Sequence, residues 1–177
     1  RVAPRLAQGA RLQTLDHWLA ELPSRLFVSG PWLSYWRGVC RLLCAPAEAM
    51  KELEHAYAGF DRRDDPAGLY LSWSGISQSF QIQWSDFRPI DRWIAAFEAL
   101  RTRHPQLPSP QIESTVVGAI VCALTNREMN HPQLPQWLEH AENILRRRHN
   151  EPPAWWELQL AWYFLWMGQL DRGEAVV

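Results

Sequence analysis

Four copies of one apolar pattern leave this chain few ways to bury its hydrophobic residues. Leu15-Asp16-His17-Trp18-Leu19 aligns with Ile90-Asp91-Arg92-Trp93-Ile94 and with Leu134-Pro135-Gln136-Trp137-Leu138, and a weaker copy, Met50-Lys51-Glu52-Leu53-Glu54, falls between the first two. The copies begin at Leu15, Met50, Ile90 and Leu134, giving successive offsets of 35, 40 and 44 residues. In each, the first, fourth and eighth positions are apolar: Leu15, Trp18, Leu22; Met50, Leu53, Tyr57; Ile90, Trp93, Phe97; Leu134, Trp137, Ala141. That spacing puts all three side chains on a single face of a helix. A unit this small cannot cover its apolar face alone, so consecutive units must shelter one another.

Proline marks where the helices begin. At the first helical position its missing N–H costs nothing, because that donor has no intrahelical partner anyway. Pro31 follows Gly30, Pro66 follows Asp65, Pro110 follows Ser109, and Pro132 follows Asn130-His131; each precedes a long apolar-periodic stretch. Pro46, Pro89 and Pro153 do the same with weaker caps. The segments predicted from this punctuation are 10–22, 31–44, 46–61, 66–84, 89–103, 110–128, 132–148, 153–167 and a stub from 170. No Asn-Gly or Asp-Gly turn joins two alternating runs, so strands are not expected. Short links make neighbouring helices antiparallel. The expectation is an all-α chain of about four helix hairpins, forming a single domain over residues 1–177.

Val116-Val117-Gly118-Ala119-Ile120-Val121-Cys122-Ala123-Leu124 is apolar around its whole circumference and must be covered on most sides, as the inner helices of a stacked array are. The uncharged run from Pro66 to Ser85 is long enough to span a membrane, but it carries five Ser and three Gln and reads as a buried helix. With a net charge of −1 the chain has no general attraction for a phosphate backbone, so no direct nucleic-acid contact is expected. Three cysteines, Cys40, Cys44 and Cys122, are too few and too odd in number for a secreted disulfide framework, which points to a reducing cytoplasm. The chain opens at Arg1, and Gly173 to Val177 read as a helix cut short, so the segment is expected to be a piece of a larger protein.

The run Leu15-Asp-His-Trp-Leu-Ala-Glu-Leu-Pro23, followed by Pro31-Trp-Leu-Ser-Tyr-Trp36-Arg-Gly38, resembles the W-L-x-x-L-P … P-x-L pattern in the helical-repeat domain of MalT-like, LuxR-class bacterial regulators. Leu160-Ala161-Trp-Tyr-Phe164 … Gly168-Gln-Leu170-Asp-Arg resembles the tetratricopeptide pattern, although Gly173 stands where that repeat normally has Ala. The resemblance implies a right-handed superhelix of antiparallel hairpins and a non-catalytic module that binds a small-molecule inducer or a protein partner in its concave groove. It also implies that the ATPase and the DNA-binding domain lie elsewhere in the parent chain. No Walker-type G-x-x-x-x-G-K-[ST] and no basic recognition helix occur here. A plain tetratricopeptide scaffold for protein assembly is the alternative.

Among groups that carry chemistry, Cys40 and Cys44 at i, i+4 lack the further ligands of a zinc site and read as buried thiols. The six histidines, His17, His55, His104, His131, His140 and His149, have no nucleophile at motif spacing and read as surface or helix-end residues. Arg146-Arg147-Arg148 suits the last turn of a helix, and Asp61 to Asp65 a solvated loop capped by Asp65. No metal, cofactor or catalytic residue is expected. Trp155, Trp156, Trp162 and Trp166, with Tyr163, concentrate on one inner helix, where positions 155, 162 and 166 share a face. In the tetratricopeptide-like array such a face lines the groove, where it can stack on a sugar ring or hold a peptide side chain; otherwise it fills space between helices or lies under a further repeat. Gln78, Gln81 and Gln83 can supply groove hydrogen bonds. The candidate binding residues are therefore Trp155, Trp162, Trp166, Gln78 and Gln81.

Overall fold

The computed structural model describes residues 12–147 and 154–176, and among these residues there are ten α-helices, one 3-10 turn and no strand. The helices are α1 (Leu12–Ala20), α2 (Arg25–Ser29), α3 (Pro31–Arg41), α4 (Pro46–Asp61), α5 (Pro66–Gln83), α6 (Asp91–Arg103), α7 (Pro110–Arg127), α8 (Leu134–Arg147), α9 (Glu157–Trp166) and α10 (Leu170–Glu174). Proline is the first residue of α3, α4, α5 and α7. Two of the expected caps form: the Asp65 carboxylate accepts from Gly68 N–H at 3.0 Å and the Ser109 hydroxyl from Ile112 N–H at 3.3 Å. Each satisfies one of the donors orphaned at a helix start.

The boundaries differ where proline punctuation misleads. Leu134 N–H donates to the His131 carbonyl at 2.9 Å, so the segment at Pro132 closes as a turn and α8 starts two residues later, with Pro135 in its first turn. Pro89 lies in the 3-10 turn Arg88–Ile90, which runs directly into α6. Helix α2 fills what reads in the sequence as a connection. The expected start at Pro153, with Arg148 and His149, lies outside the described residues; Trp155 and Trp156 sit in the turn before α9.

Helices α3, α5, α7 and α9 pack side by side in sequence, while α4 packs on both α3 and α5, α6 on both α5 and α7, and α8 on α7. One row of helices is thus backed by a second, and a continuous core runs between them from Tyr35 to Phe164. Helices α5 and α7, which belong to the row, are buried on nearly every side. That explains why α7 is apolar throughout. In α5 the same burial admits four serines because each hydroxyl has an acceptor: Ser72 donates to Gly68 O, Ser74 to Tyr70 O, Ser79 to Gly75 O, and Ser77 crosses to Ala119 O of α7 at 3.0 Å. A buried hydroxyl so paired avoids a desolvation cost of about 1–3 kcal/mol. No helix among the described residues is long and apolar enough to cross a membrane.

The recurring positions meet in register. The eighth position of the second copy, Tyr57, packs edge-on against the fourth of the third, Trp93, at 5.3 Å; Phe97 and Trp137 repeat the contact between the third and fourth copies at 5.6 Å. Trp73 of α5 locks the stack by lying on Phe97 at 4.4 Å and donating its indole N–H to Trp93 O at 2.7 Å. Burying a side chain of this size stabilises the fold by roughly 1.5–3 kcal/mol. The first copy departs from the others. Leu15 and Leu19 are buried with Phe27 of α2, but Trp18 is 51% exposed. Here α1 rests on α3 and α2 supplies the covering ring, so the buried pair is i, i+4 and Trp18 turns outward. Equivalence therefore holds across the second, third and fourth copies only.

Ion pairs join neighbouring helices: Arg37 to Glu52 and Arg127 to Asp91 between successive helices, and Arg92 to Glu54, Arg103 to Asp61 and Arg172 to Glu142 between alternate ones. Surface pairs of this kind contribute about 0–1 kcal/mol each and serve register more than stability.

Candidate functional site

The aromatic face of α9 depends on one glycine. A Cβ on Gly118 of α7 would lie 2.1 Å from the Trp156 ring, so the indole, 1% exposed, rests directly on the α7 backbone. Trp156 is the member of the cluster that fills space between helices. Seating it there brings α9 against α7 and turns the opposite residues of the cluster outward: Trp155 is 36% exposed, Trp162 53% and Trp166 80%.

These indoles form one wall of a groove of about 690 Å³. The C-terminal part of α5 contributes Gln78, Gln81 and Ile82, the C-terminal part of α7 contributes Cys122, Thr125 and Asn126, and α9 adds Leu158, Gln159 and Tyr163. Leu43, Trp84 and Met129, each just beyond a helix end, complete the rim. All five residues singled out in the sequence, Trp155, Trp162, Trp166, Gln78 and Gln81, line this one groove. Gln83 does not; its amide donates back to Ser79 O at 3.2 Å.

Among the described residues no charged side chain lines the groove. Asn126, Thr125 and the Gln81 oxygen are already paired within the protein. Asn126 Nδ2 donates both to Cys122 O at 2.8 Å and to Gln81 Oε1 at 2.9 Å, and Thr125 Oγ1 donates to Val121 O at 2.9 Å. The Cys122 carbonyl fixes the Asn126 amide, because only the NH2 end can face it, and the second hydrogen of that NH2 fixes Gln81 in turn. Gln81 Nε2 is left buried without an acceptor. Complete burial pushes the Cys122 thiol far above the ordinary thiol range, so it offers no nucleophile.

Sequence reasoning missed Trp84, Thr125, Asn126 and the rim residues Leu43 and Met129. Trp84 carries no sequence signal, because nothing in the residue type marks the backbone it adopts. It ends α5 in the left-handed region, φ 43°, where glycine or asparagine is the usual residue. There it is 65% exposed, with its ring edge-on to Phe87 at 5.6 Å. A bulky aromatic in that backbone conformation costs roughly 1–2 kcal/mol.

Elsewhere, the groups considered for chemistry have plain roles. Helix α3 ends at Arg41, so Cys44 lies in the following turn and is exposed, and Cys40 is half-buried; neither is the buried thiol expected of that pair, whereas Cys122 is buried within α7. Among the described residues no three His, Cys, Asp or Glu side chains come together as a metal site. His17 is exposed beside Glu21, His104 ends α6 with Nε2 2.9 Å from Asp64, and His140 stacks on Trp137 while reaching Glu113 at 2.6 Å. Arg147 donates to the Asn143 carbonyl in the last turn of α8. No protein-family model, no curated protein and no solved structure matches the chain.

Proposed function

We propose that the two rows of helices form a right-handed, tetratricopeptide-like superhelix, and that its groove is the ligand- or partner-binding surface of a non-catalytic regulatory module. The single observation that carries this reading is the aromatic groove between α5, α7 and α9, with three indoles and a leucine of one short segment turned outward. Exposed apolar patches of this kind mark interaction sites, since isolated surface hydrophobics need no such grouping. The groove's described lining is dominated by aromatic and aliphatic side chains with a few amides and a hydroxyl, a composition suited to binding. The resemblance to MalT-like regulators assigns the event it would report to an ATPase and a DNA-binding domain in a longer chain.

A second reading, a protein-assembly scaffold, is favoured by Leu165, Met167 and Leu170, which extend the apolar surface past the groove. Intrinsic tryptophan fluorescence separates the readings. A regulatory groove predicts a saturable change on titration with neutral small molecules, lost in Trp162→Ala. A scaffold predicts silence with every small molecule and a response to protein or peptide alone.

A further inference from the structure

We infer that the groove side of the molecule is the contact between two copies of this chain, with α9 of each copy laid antiparallel on α9 of the other about a two-fold axis. The inference rests on the groove being an interaction surface and names its occupant. It starts from α9, whose exposed residues, Leu158, Trp162, Leu165 and Trp166, are all apolar. The exposed residues of α6 and α8, by contrast, include Asp91, Arg92, Glu139 and Arg146. A helix that is hydrophobic around its circumference is one that is covered around its circumference. Helix α7 is of that kind and is covered by α5, α6, α8 and α9, whereas α9 packs mainly on α7 and α10.

The pattern on α9 says what covers it. Leu158, Trp162 and Leu165 are spaced by four and then three residues, the spacing at which one helix seats along another. The occupant is therefore a helix with an apolar seam, and α9 is itself such a helix. A two-fold contact brings the same patch of both copies together, so the patch must hold both a projection and a recess. Here Trp166, 80% exposed, projects beside the groove of about 690 Å³ that it helps to line. Among the described residues the lining carries no charge, so two copies meet without like charges opposed, a juxtaposition that costs several kcal/mol where it occurs. The area is also sufficient. Of the thirteen large hydrophobic side chains that stand exposed among the described residues, seven line this groove and Leu165, Met167 and Leu170 continue it. Their uncovered surface is on the order of 1,000 Å². That exceeds the roughly 300–600 Å² of the largest patch on a typical monomer and matches the ~800 Å² that each partner of a stable complex contributes.

The test is sedimentation velocity on the 177-residue chain from about 1 to 100 µM, with acrylamide quenching of tryptophan followed over the same range. The expected result is a monomer–dimer equilibrium that stops at the dimer, with quenching that falls as the dimer forms and covers Trp162 and Trp166. Trp162→Glu is expected to weaken association more than about 100-fold, because a two-fold contact counts each substitution twice. Trp18→Glu, at an equally exposed indole on α1 at the other end of the row, is expected to leave it unchanged. A chain that stays monomeric throughout would overturn the inference and leave the face to a different helix; the groove as a binding surface is then judged separately, by the fluorescence titrations. Growth beyond the dimer would overturn the closed two-fold contact. A dimer that survives Trp162→Glu, or is lost equally in Trp18→Glu, would overturn its location. So would a wild-type dimer whose formation leaves quenching unchanged, a result that needs no variant to fold.

Discussion

Replacing Gly118 with alanine tests how α9, and with it the aromatic wall, is held in place. The new methyl carbon would lie 2.1 Å from Cγ and Cδ1 of Trp156, whereas two carbons in contact need about 3.5 Å, so the ring must retreat by roughly 1.4 Å. The atoms in the way belong to the root of a rigid indole that is 1% exposed, not to the far end of a flexible chain. Overpacking of this kind costs up to about 3 kcal/mol, offset by about 1 kcal/mol of helix propensity gained on exchanging Gly for Ala, for a net loss near 2 kcal/mol. Gly173 is the control. In α10 its nearest neighbours, a Leu165 methyl and Ala161 O, would lie at 3.5 and 3.7 Å, ordinary contact, so Gly173→Ala should stabilise by about 0.5–1 kcal/mol. Urea unfolding of the three proteins, fitted with a common slope, measures both effects. Trp156→Leu in the Gly118→Ala background should recover part of the loss, which ties the effect to this contact. A Gly118→Ala protein as stable as the wild type would refute the packing argument, and with it the account of why the α9 indoles face the groove.

Two further perturbations read local features. Asp65→Ala removes the acceptor for Gly68 N–H at the start of α5 and is expected to cost about 1 kcal/mol in urea unfolding, whereas Asp65→Asn should cost much less. Under native conditions Ellman's reagent is expected to label exposed Cys44 first, Cys40 slowly, because burial and then the Asp16 carboxylate hold its thiol up at about 11, and Cys122 only on unfolding. Since folding raises the Cys40 value above the ordinary 9.0, its contribution to stability is complete below pH 9 and is lost as pH rises through about 11. Urea midpoints measured from pH 8 to 11 should fall less steeply in Cys40→Ala; an unchanged slope would contradict the assignment.

Helix positions were legible because proline and caps act locally. Pro31, Pro46, Pro66 and Pro110 each open a helix at the residue the sequence indicates, and Asp65 and Ser109 cap as their chemistry requires. The apolar period was equally legible, since Tyr57–Trp93 and Phe97–Trp137 join the same two repeat positions in successive copies. What periodicity does not specify is which surface covers a given face, and so Trp18 was misjudged: its outward turn follows from α2, a five-residue helix too short to leave a periodic signal. The groove was half legible. Trp155, Trp162 and Trp166 share a face by arithmetic, but their meeting with Gln78 and Gln81, some eighty residues earlier, depends on α5, α7 and α9 lying side by side. The Asn126 link to Gln81 belongs to that same tertiary step.

The two sides of the helix row differ in a way that packing alone does not require. On one side α4, α6 and α8 cover it, and their rims are tied by Arg–carboxylate pairs, as a solvated outer face should be. On the other, Trp84, Trp155, Trp162 and Trp166 stand open to water around an uncharged floor. Trp84 is the sharpest case, because it contributes little burial at 65% exposure and holds a left-handed backbone that a glycine would adopt without strain. Stability would favour replacing it. A residue that is strained and solvated at the rim of an aromatic groove makes sense as part of a surface kept for something that binds there, because a bound partner would cover its exposed ring.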